Sequence, residues 1–360
     1  MIRSKLKRSL PLLMLLALLG CGRQEAPAAE TGEQLLVTEE TAAPTETVLP
    51  TETEPPETEP EERVFTLSFA GDCTFGAAPS IYHAPVGFLK TVGDDFGYPF
   101  RNVAQYLSTD DFTMVNLEGP LGEVGNLVPK QHNFRGPVKY VNVLLEGSVE
   151  AVTIANNHTM DYGPACYAST VETLTEAGVP FVERDSTLLL PLEGGLTLGI
   201  YGTSYEYVDE EALTAGIAGL KEQGADIVIY AAHWGVEGSY VPHPYQEKLG
   251  RMAIDAGADI VFGTHPHVLQ PVEEYGNGVI LYSLGNFSFG GNCGPEDYDT
   301  AIIQQQVILD GQGNVRLGQR TCIPCCLSSE QGRNNFQPTP YEPGTESYER
   351  VLRKLSGTYR

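Results

Sequence analysis

The chain has 360 residues, with 47 Asp and Glu against 22 Lys and Arg, a formal net charge of −25 and 41% hydrophobic residues. Such an acidic balance excludes a nucleic-acid binder, and equally a protein held on anionic lipid headgroups by a basic face, because both surfaces would repel it. The length suits one large domain or two small ones with a sizeable apolar core.

Residues 1–20 carry Arg3, Lys5, Lys7 and Arg8, followed by the apolar run LPLLMLLALLG. That run is too short to span a bilayer comfortably and fits an export signal. It ends at LLGC, which resembles a bacterial lipobox with Leu19 where a small residue is usual. Cys21 is then expected to become the lipidated first residue of the mature protein, exported and anchored at the outer face of the cytoplasmic membrane or cell envelope. Residues 21–62 read as a disordered acidic tether of Glu, Thr, Pro and Ala, unable to bury enough apolar surface to offset the entropy of ordering. From Arg23 to Glu62 there are twelve Glu and one Arg, which leaves −18 on residues 63–360. Membrane association is therefore expected through lipid rather than through charge.

From residue 63 to 328 apolar runs end repeatedly in polar clusters: VFTLSFAGD, FTMVNLE, AVTIANNH, DIVIYAAHWG, DIVFGTHPH and VILYSLGNF. Between several of them lie helical patterns, GPACYASTVETLTEAG, EEALTAGIAGLKEQG and PYQEKLGRMAIDAG, each closing on a glycine suited to a C-cap. Alternating strands and helices imply α/β layering, with ligands collecting beyond the carboxyl ends of the strands. AIIQQQVILD and NVRLGQRTC, joined through GQGN, read as an antiparallel hairpin. Residues 329–360 form a C-terminal extension in which YERVLRKLSG reads as a short amphipathic helix. Six cysteines follow Cys21, but CIPCC has no second CxxC at zinc-finger spacing, so a structural zinc site is not expected and the pairing stays open.

The strand ends collect Asp72, Glu118, Asn157, His158, His233, His265 and His267. Four of the seven histidines of the chain stand there. Each taken singly reads equally well as a hydrogen-bonding residue, and the Asn pair in ANNH reads equally well as a cap for the following helix. Together, imidazole, carboxylate and amide oxygen suit borderline divalent ions, two of which a carboxylate can bridge. In GTHPH, His265 and His267 are expected to alternate on an extended segment held rigid by Pro266, so that the two rings reach different ions.

FAGDCTFG, VNLEGPL, FRGP, ANNHTMDYG, HWGVE, GADIVFGTHPHVLQPVE and YSLGNF, in this order over about residues 64–290, resemble the CapA-like proteins of poly-γ-glutamate capsule synthesis, a branch of the calcineurin-like metallophosphoesterases. The resemblance implies an α/β fold, a four-layer αββα sandwich with central β-sheets. It implies two divalent ions, Mn, Fe or Zn. Asp72 would bind the first, Glu118 would bridge, Asn157, His233 and His265 would bind the second, and His267 would complete the first. His158 would be the proton donor, oriented by Asp161 as an imidazole–carboxylate pair. One departure is visible: the imidazole usual two residues after the first Asp is Thr74, so the first position lacks a ligand. Arg135 is a candidate anion clamp, and Glu237 and Asn286 are candidate substrate contacts beside Trp234 and Phe287. The function implied is metal-dependent hydrolysis or transfer on an anionic cell-envelope polymer such as poly-γ-glutamate. Alternatives are a non-catalytic polymer-binding or export component of a membrane synthase complex, and a phosphoesterase of exported substrates.

Overall fold

The computed structural model describes residues 62–204 and 208–359; Cys21 and all but the last residue of the tether lie outside them. In chain order the strands are β1 (Arg63–Thr74), β2 (Phe112–Leu117), β3 (Ala151–Thr153), β4 (Phe181–Val182), β5 (Ser186–Pro191), β6 (Thr197–Ser204), β7 (Ile227–His233), β8 (Ile260–Thr264), β9 (Val272–Tyr275), β10 (Gly278–Leu281), β11 (Asn286–Phe289), β12 (Asp299–Leu309), β13 (Val315–Cys326) and β14 (Thr339–Pro340). The helices are α1 (Phe88–Val92), α2 (Ala104–Leu107), α3 (Val141–Glu146), α4 (Gly163–Ala177), α5 (Glu210–Glu222), α6 (Pro244–Asp255) and α7 (Glu346–Leu355).

Period-two alternation in β7 explains the layering. Ile227, Ile229 and Ala231 face one apolar cluster, whereas Val228, Tyr230 and Ala232 face another. A strand that is apolar on both sides is covered on both sides. The first of these clusters lies between two sheets, and β1 contributes Phe65, Leu67 and Phe69 to it. The second joins one sheet to α5 and α6 through Leu213, Ile217, Leu249 and Ala253. A third cluster packs Phe88, Val143, Leu144 and Leu174 of α1, α3 and α4 on the outer face of the other sheet. The result is the four-layer αββα sandwich.

One sheet runs β14-β13-β12-β1-β2-β3-β4 with β11 paired to the end of β1; the other runs β5-β6-β7-β8-β10-β9. Strands β1 to β4 are parallel to one another, as are β6, β7, β8 and β10. All the polar clusters therefore leave from carboxyl ends. The expected helices are α4, α5 and α6, and each is followed by a glycine in the left-handed region, Gly178, Gly224 and Gly257. The hairpin is β12 and β13.

The six cysteines within the described residues are free thiols, and Cys73 is buried with its pKa pushed up mainly by that burial. Residues from 329 onward pack into the same body. Phe336 stacks edge-on to Phe88, and Val351 and Leu355 of α7 enter the cluster between the sheets. The helix is also held by a buried ion network in which Lys354 Nζ lies 2.8 Å from Asp299 and 2.6 Å from Asp297, and Arg350 grips Asp299 through two bonds of 2.7 Å. Lys354 further lies 4.9 Å from the Tyr240 ring centroid, a cation–π contact. Burial would raise the Asp299 pKa, but its bonds to Arg350 and Lys354 outweigh that and hold it below the usual carboxylate range.

Asp299→Asn is expected to cost up to about 3–5 kcal/mol, since it takes the carboxylate partner from Arg350 and leaves the buried Lys354 with Asp297 alone. Arg353→Ala, which removes only an exposed pair with Glu346, is expected to cost under about 1 kcal/mol. A depressed folded pKa gives stability that is complete above the unfolded value of about 3.9 and lost as pH falls through the lower folded value. Urea midpoints measured from pH 7 downward should therefore fall below about pH 4 in the wild type, and the Asn variant should lack that component.

Candidate metal centre

Register brings the first ligands level. Asp72 on β1 lies opposite Asn116 on β2 and opposite Asn286 on β11. The β1 pairing is irregular between Phe69 and Asp72, which re-aims the strand end. Gly71 is required there, because a Cβ would stand 1.9 Å from the carbonyl oxygen of Gly285. In the other sheet His233 lies opposite Thr264, whose hydroxyl is 3.0 Å from His233 Nδ1 and fixes the ring.

Glu118 follows β2 and is 1% exposed. Its Oε1 has no hydrogen-bond partner among the described residues, yet three imidazole nitrogens face it: His158 Nε2 at 3.7 Å, His233 Nε2 at 4.0 Å and His267 Nε2 at 3.7 Å. Those separations are too long for hydrogen bonds. They suit donor atoms gathered around an ion bound at about 2.0–2.2 Å. Asn157 Oδ1 stands 2.8 Å from His233 Nε2, and Asp72 Oδ2 stands 3.2 Å from His267 Nδ1. Donor atoms of Asp72, Glu118 and His233 lie within 4.8 Å of one another, as do those of Glu237, His265 and His267. The residues present thus fit divalent metal.

The electrostatics agree. Burial raises the Glu118 pKa well above the carboxylate range, and Asp72, Glu237 and Asp161 add to this against His267. Burial and the neighbouring imidazoles push His233 well down, and burial with His267 pushes His265 down to about 3, so both rings are neutral, as ligands must be. His267 goes the other way. Burial would lower it, but Glu118, the hydrogen bond and charge of Asp72, and Glu237 raise it to about 10. Its proton supplies positive charge between carboxylates, a charge that a divalent ion would supply instead.

His265 and His267 do not alternate on an extended segment. Both have positive φ, 96° and 58°, and their ring centroids are 5.8 Å apart in a tight turn after β8. Such backbone is costly for residues with a Cβ and is tolerated at functional sites when the surroundings enforce it. Nor do the Asn residues cap α4, whose N-cap is Tyr162 with no side-chain bond. Asn156 instead donates to Asn116 Oδ1 and to the Leu117 carbonyl, and Asn116 donates to Asp72 Oδ1 at 2.8 Å.

His158 is 4% exposed and stacks on Phe134. Its Nδ1 is 2.7 Å from Asp161 Oδ2, which leaves Nε2 toward the cluster. Burial lowers its pKa against the pull of Asp161, so the ring rests neutral at pH 7. Asp161 also accepts from the Phe134 amide at 2.6 Å and pairs with Lys130 at 2.5 Å. Asn116 and Lys130 were not singled out in the sequence. Asn116 had a signal, being two residues before Glu118 on the same strand end; Lys130 had none.

A cavity of about 670 Å³ opens over the cluster, and its lining includes His158, His267, Glu237, Asn286, Tyr240 and Asp297. Asn286 Oδ1 lies 2.9 Å from His267 Nδ1 and so also positions that ring. Arg135 is outside the lining, with its guanidinium 4.1 Å above the Tyr162 ring. Trp234 is 1% exposed and bonds the Tyr282 carbonyl, a packing residue.

The sequence profile of the bacterial capsule synthesis protein family PGA_cap matches residues 66–187 and 190–291. The chain belongs to this family. Among curated relatives, it is 29% identical to the capsule biosynthesis protein CapA of Bacillus anthracis over 70% of this chain and 66% of that protein. It is also 29% identical to the PGA biosynthesis protein CapA of Bacillus subtilis strain 168, over 69% of this chain and 70% of that protein. The chain thus spans about two thirds of the length of these relatives. It is similar to the solved NAD nucleotidase of Haemophilus influenzae at 11% identity and a TM-score of 0.43, over 82% of this chain and 63% of that one. All the predicted metal residues fall inside the matched segments.

Mn²⁺ or Zn²⁺ at about 100 times its Kd is expected to raise stability by about 2.7 kcal/mol, because it binds only the folded state. Glu118→Gln should remove most of that increment in a thermal melt. Asn116→Ala, which deletes no ligand, should weaken metal affinity about 10–100-fold. An ion-induced shift left intact in Glu118→Gln would overturn this centre.

Proposed function

We propose that the protein is a metal-dependent hydrolase or transferase of capsule or cell-envelope polymer metabolism, acting on an anionic polymer such as poly-γ-glutamate. The observation that carries this reading is the unpaired, buried Oε1 of Glu118 faced by three imidazoles at the floor of the cavity. Asp72, Glu118, Asn157, His233, His265 and His267 would hold the metal. Bound divalent ions would polarise a carbonyl or phosphoryl oxygen and lower the pKa of water.

The cavity lining has no Lys or Arg among the described residues. Positive charge toward a reacting oxygen therefore has to come from the metal centre rather than from a guanidinium. His158 exchanges a proton at Nε2, with Nδ1–H held on Asp161 so that one tautomer is selected. Because the ring rests neutral, it takes up a proton before it gives one. Lys130 neutralises Asp161 from the far side and braces the Asn157 carbonyl at 2.9 Å.

A binding component that keeps the fold without turnover is the second reading, favoured by Thr74 in place of an imidazole. Export and attachment through Cys21 belong to the proposal in either case, and among the described residues no helix is long and apolar enough to cross a membrane. Under this reading Cys21→Ala releases the protein from the membrane fraction with its fold intact.

His158→Asn is expected to keep the metal and lose about 10²–10⁴-fold in turnover, the usual worth of a positioned proton-transfer group. The assay follows chain shortening of poly-γ-glutamate and release from a p-nitrophenyl phosphodiester, with metal content measured in every sample. Equal rates for metal-replete wild type and His158→Asn, combined with failure of the variant to support capsule assembly in cells, would transfer the function to the binding reading.

A further inference from the structure

Resting on the metal-centre reading above, we propose that Glu237 is a metal ligand: it takes the place of the imidazole absent at Thr74 and fastens the cavity wall at 235–243 to the metal.

Thr74 does not fill the position itself. It is 1% exposed, and its hydroxyl is spent on the Glu118 carbonyl at 2.9 Å. A carboxylate arrives from the opposite sheet instead. Glu237 offers an oxygen within 4.8 Å of ligand nitrogens of both His265 and His267, a distance that a small movement of an exposed side chain closes around an ion bound at about 2.1 Å. Among the described residues, no hydrogen bond or salt bridge engages that carboxylate. Its charge is uncommitted and adjoins the cluster.

The loop that carries Glu237 is built to hold a position. Gly235 has φ 94°, and a Cβ on it would meet Gln246 Oε1 at 2.6 Å. Gln246, fully buried, accepts from the His243 amide at 2.8 Å and donates to Gln270 at 2.8 Å, and Gln270 donates to the Ser239 carbonyl at 2.8 Å. The Gly238 amide bonds the Pro266 carbonyl, between the two histidines, at 2.9 Å. Both sides of the proposed ligand set are thus tied to one turn, so binding an ion costs little ordering.

Charge favours the same assignment. Two divalent ions would bring four positive charges to a site where Asp72 and Glu118 return two; Glu237 makes three and lowers the cost of holding the ions in a partly buried site. As a direct contact to an anionic polymer, the same carboxylate would repel what it was meant to bind.

The test uses the full chain, dialysed against a fixed free concentration of Mn²⁺, with bound metal counted by elemental analysis and followed by the Mn²⁺ paramagnetic resonance signal. Glu237→Gln, an exposed substitution, is expected to keep its fold by circular dichroism. It should lose one class of bound ion or weaken it at least about 10-fold, with Glu237→Asp recovering part of it. Glu296→Gln, at another carboxylate of the cavity lining, should leave binding at the wild-type level. A Glu237→Gln protein that binds Mn²⁺ with wild-type stoichiometry and affinity overturns the proposal while leaving the metal centre standing. A wild type that binds no Mn²⁺ or Zn²⁺ overturns both.

Discussion

Everything at the carboxyl edge of the sandwich is organised around one expensive arrangement, a carboxylate buried with an oxygen that no hydrogen bond satisfies. A buried carboxyl oxygen left without a hydrogen bond is tolerated only where something compensates it. Around Glu118 the compensation is distributed: three imidazoles from three separate chain segments face it, and each is fixed from behind by Asp161, Thr264 or Asn286. Asn116 and Asn156 then hold Asp72 beside it through a relay of buried amides. The site is a set of charges kept close by neutral side chains that have no chemistry of their own.

Much of this was legible because the fold forces polar residues to the ends of apolar strands. A strand such as β7, apolar on both faces, has nowhere to place His233 except its terminus, and the same holds for Asp72 on β1. The layers followed from alternation, and the helices from their spacing and closing glycines. What sequence could not supply was backbone conformation between charged residues. His265 and His267 read as an extended pair, since Pro favours extended neighbours, whereas tertiary contacts impose left-handed φ on both. Lys130 escaped notice for a related reason: it lies on a loop without periodicity, 31 positions from Asp161, and only folding brings the two together. Arg135, a residue type suited to anions, lies over the Tyr162 ring and outside the cavity lining, a placement its sequence neighbours do not signal.

Net charge and site charge also have to be separated. The chain is strongly acidic, and so is the cavity lining, with Glu237, Glu296 and Asp297 in it. Divalent ions held by the candidate ligands would place positive charge at the floor beneath these carboxylates.

The ion network beneath α7 has a consequence for how relatives should be compared. Lys354 holds Asp297 and lies over Tyr240, and both of these line the cavity. The family pattern ends at residue 291, before Asp297 and well before α7. One wall of the cavity is therefore set by a stretch of chain that the common pattern does not contain, while the candidate metal residues lie wholly within it. Selection can alter that wall by remodelling a terminal helix without disturbing a single metal-binding position. Two members of the family with identical floors can therefore differ in the wall that a bound molecule would meet.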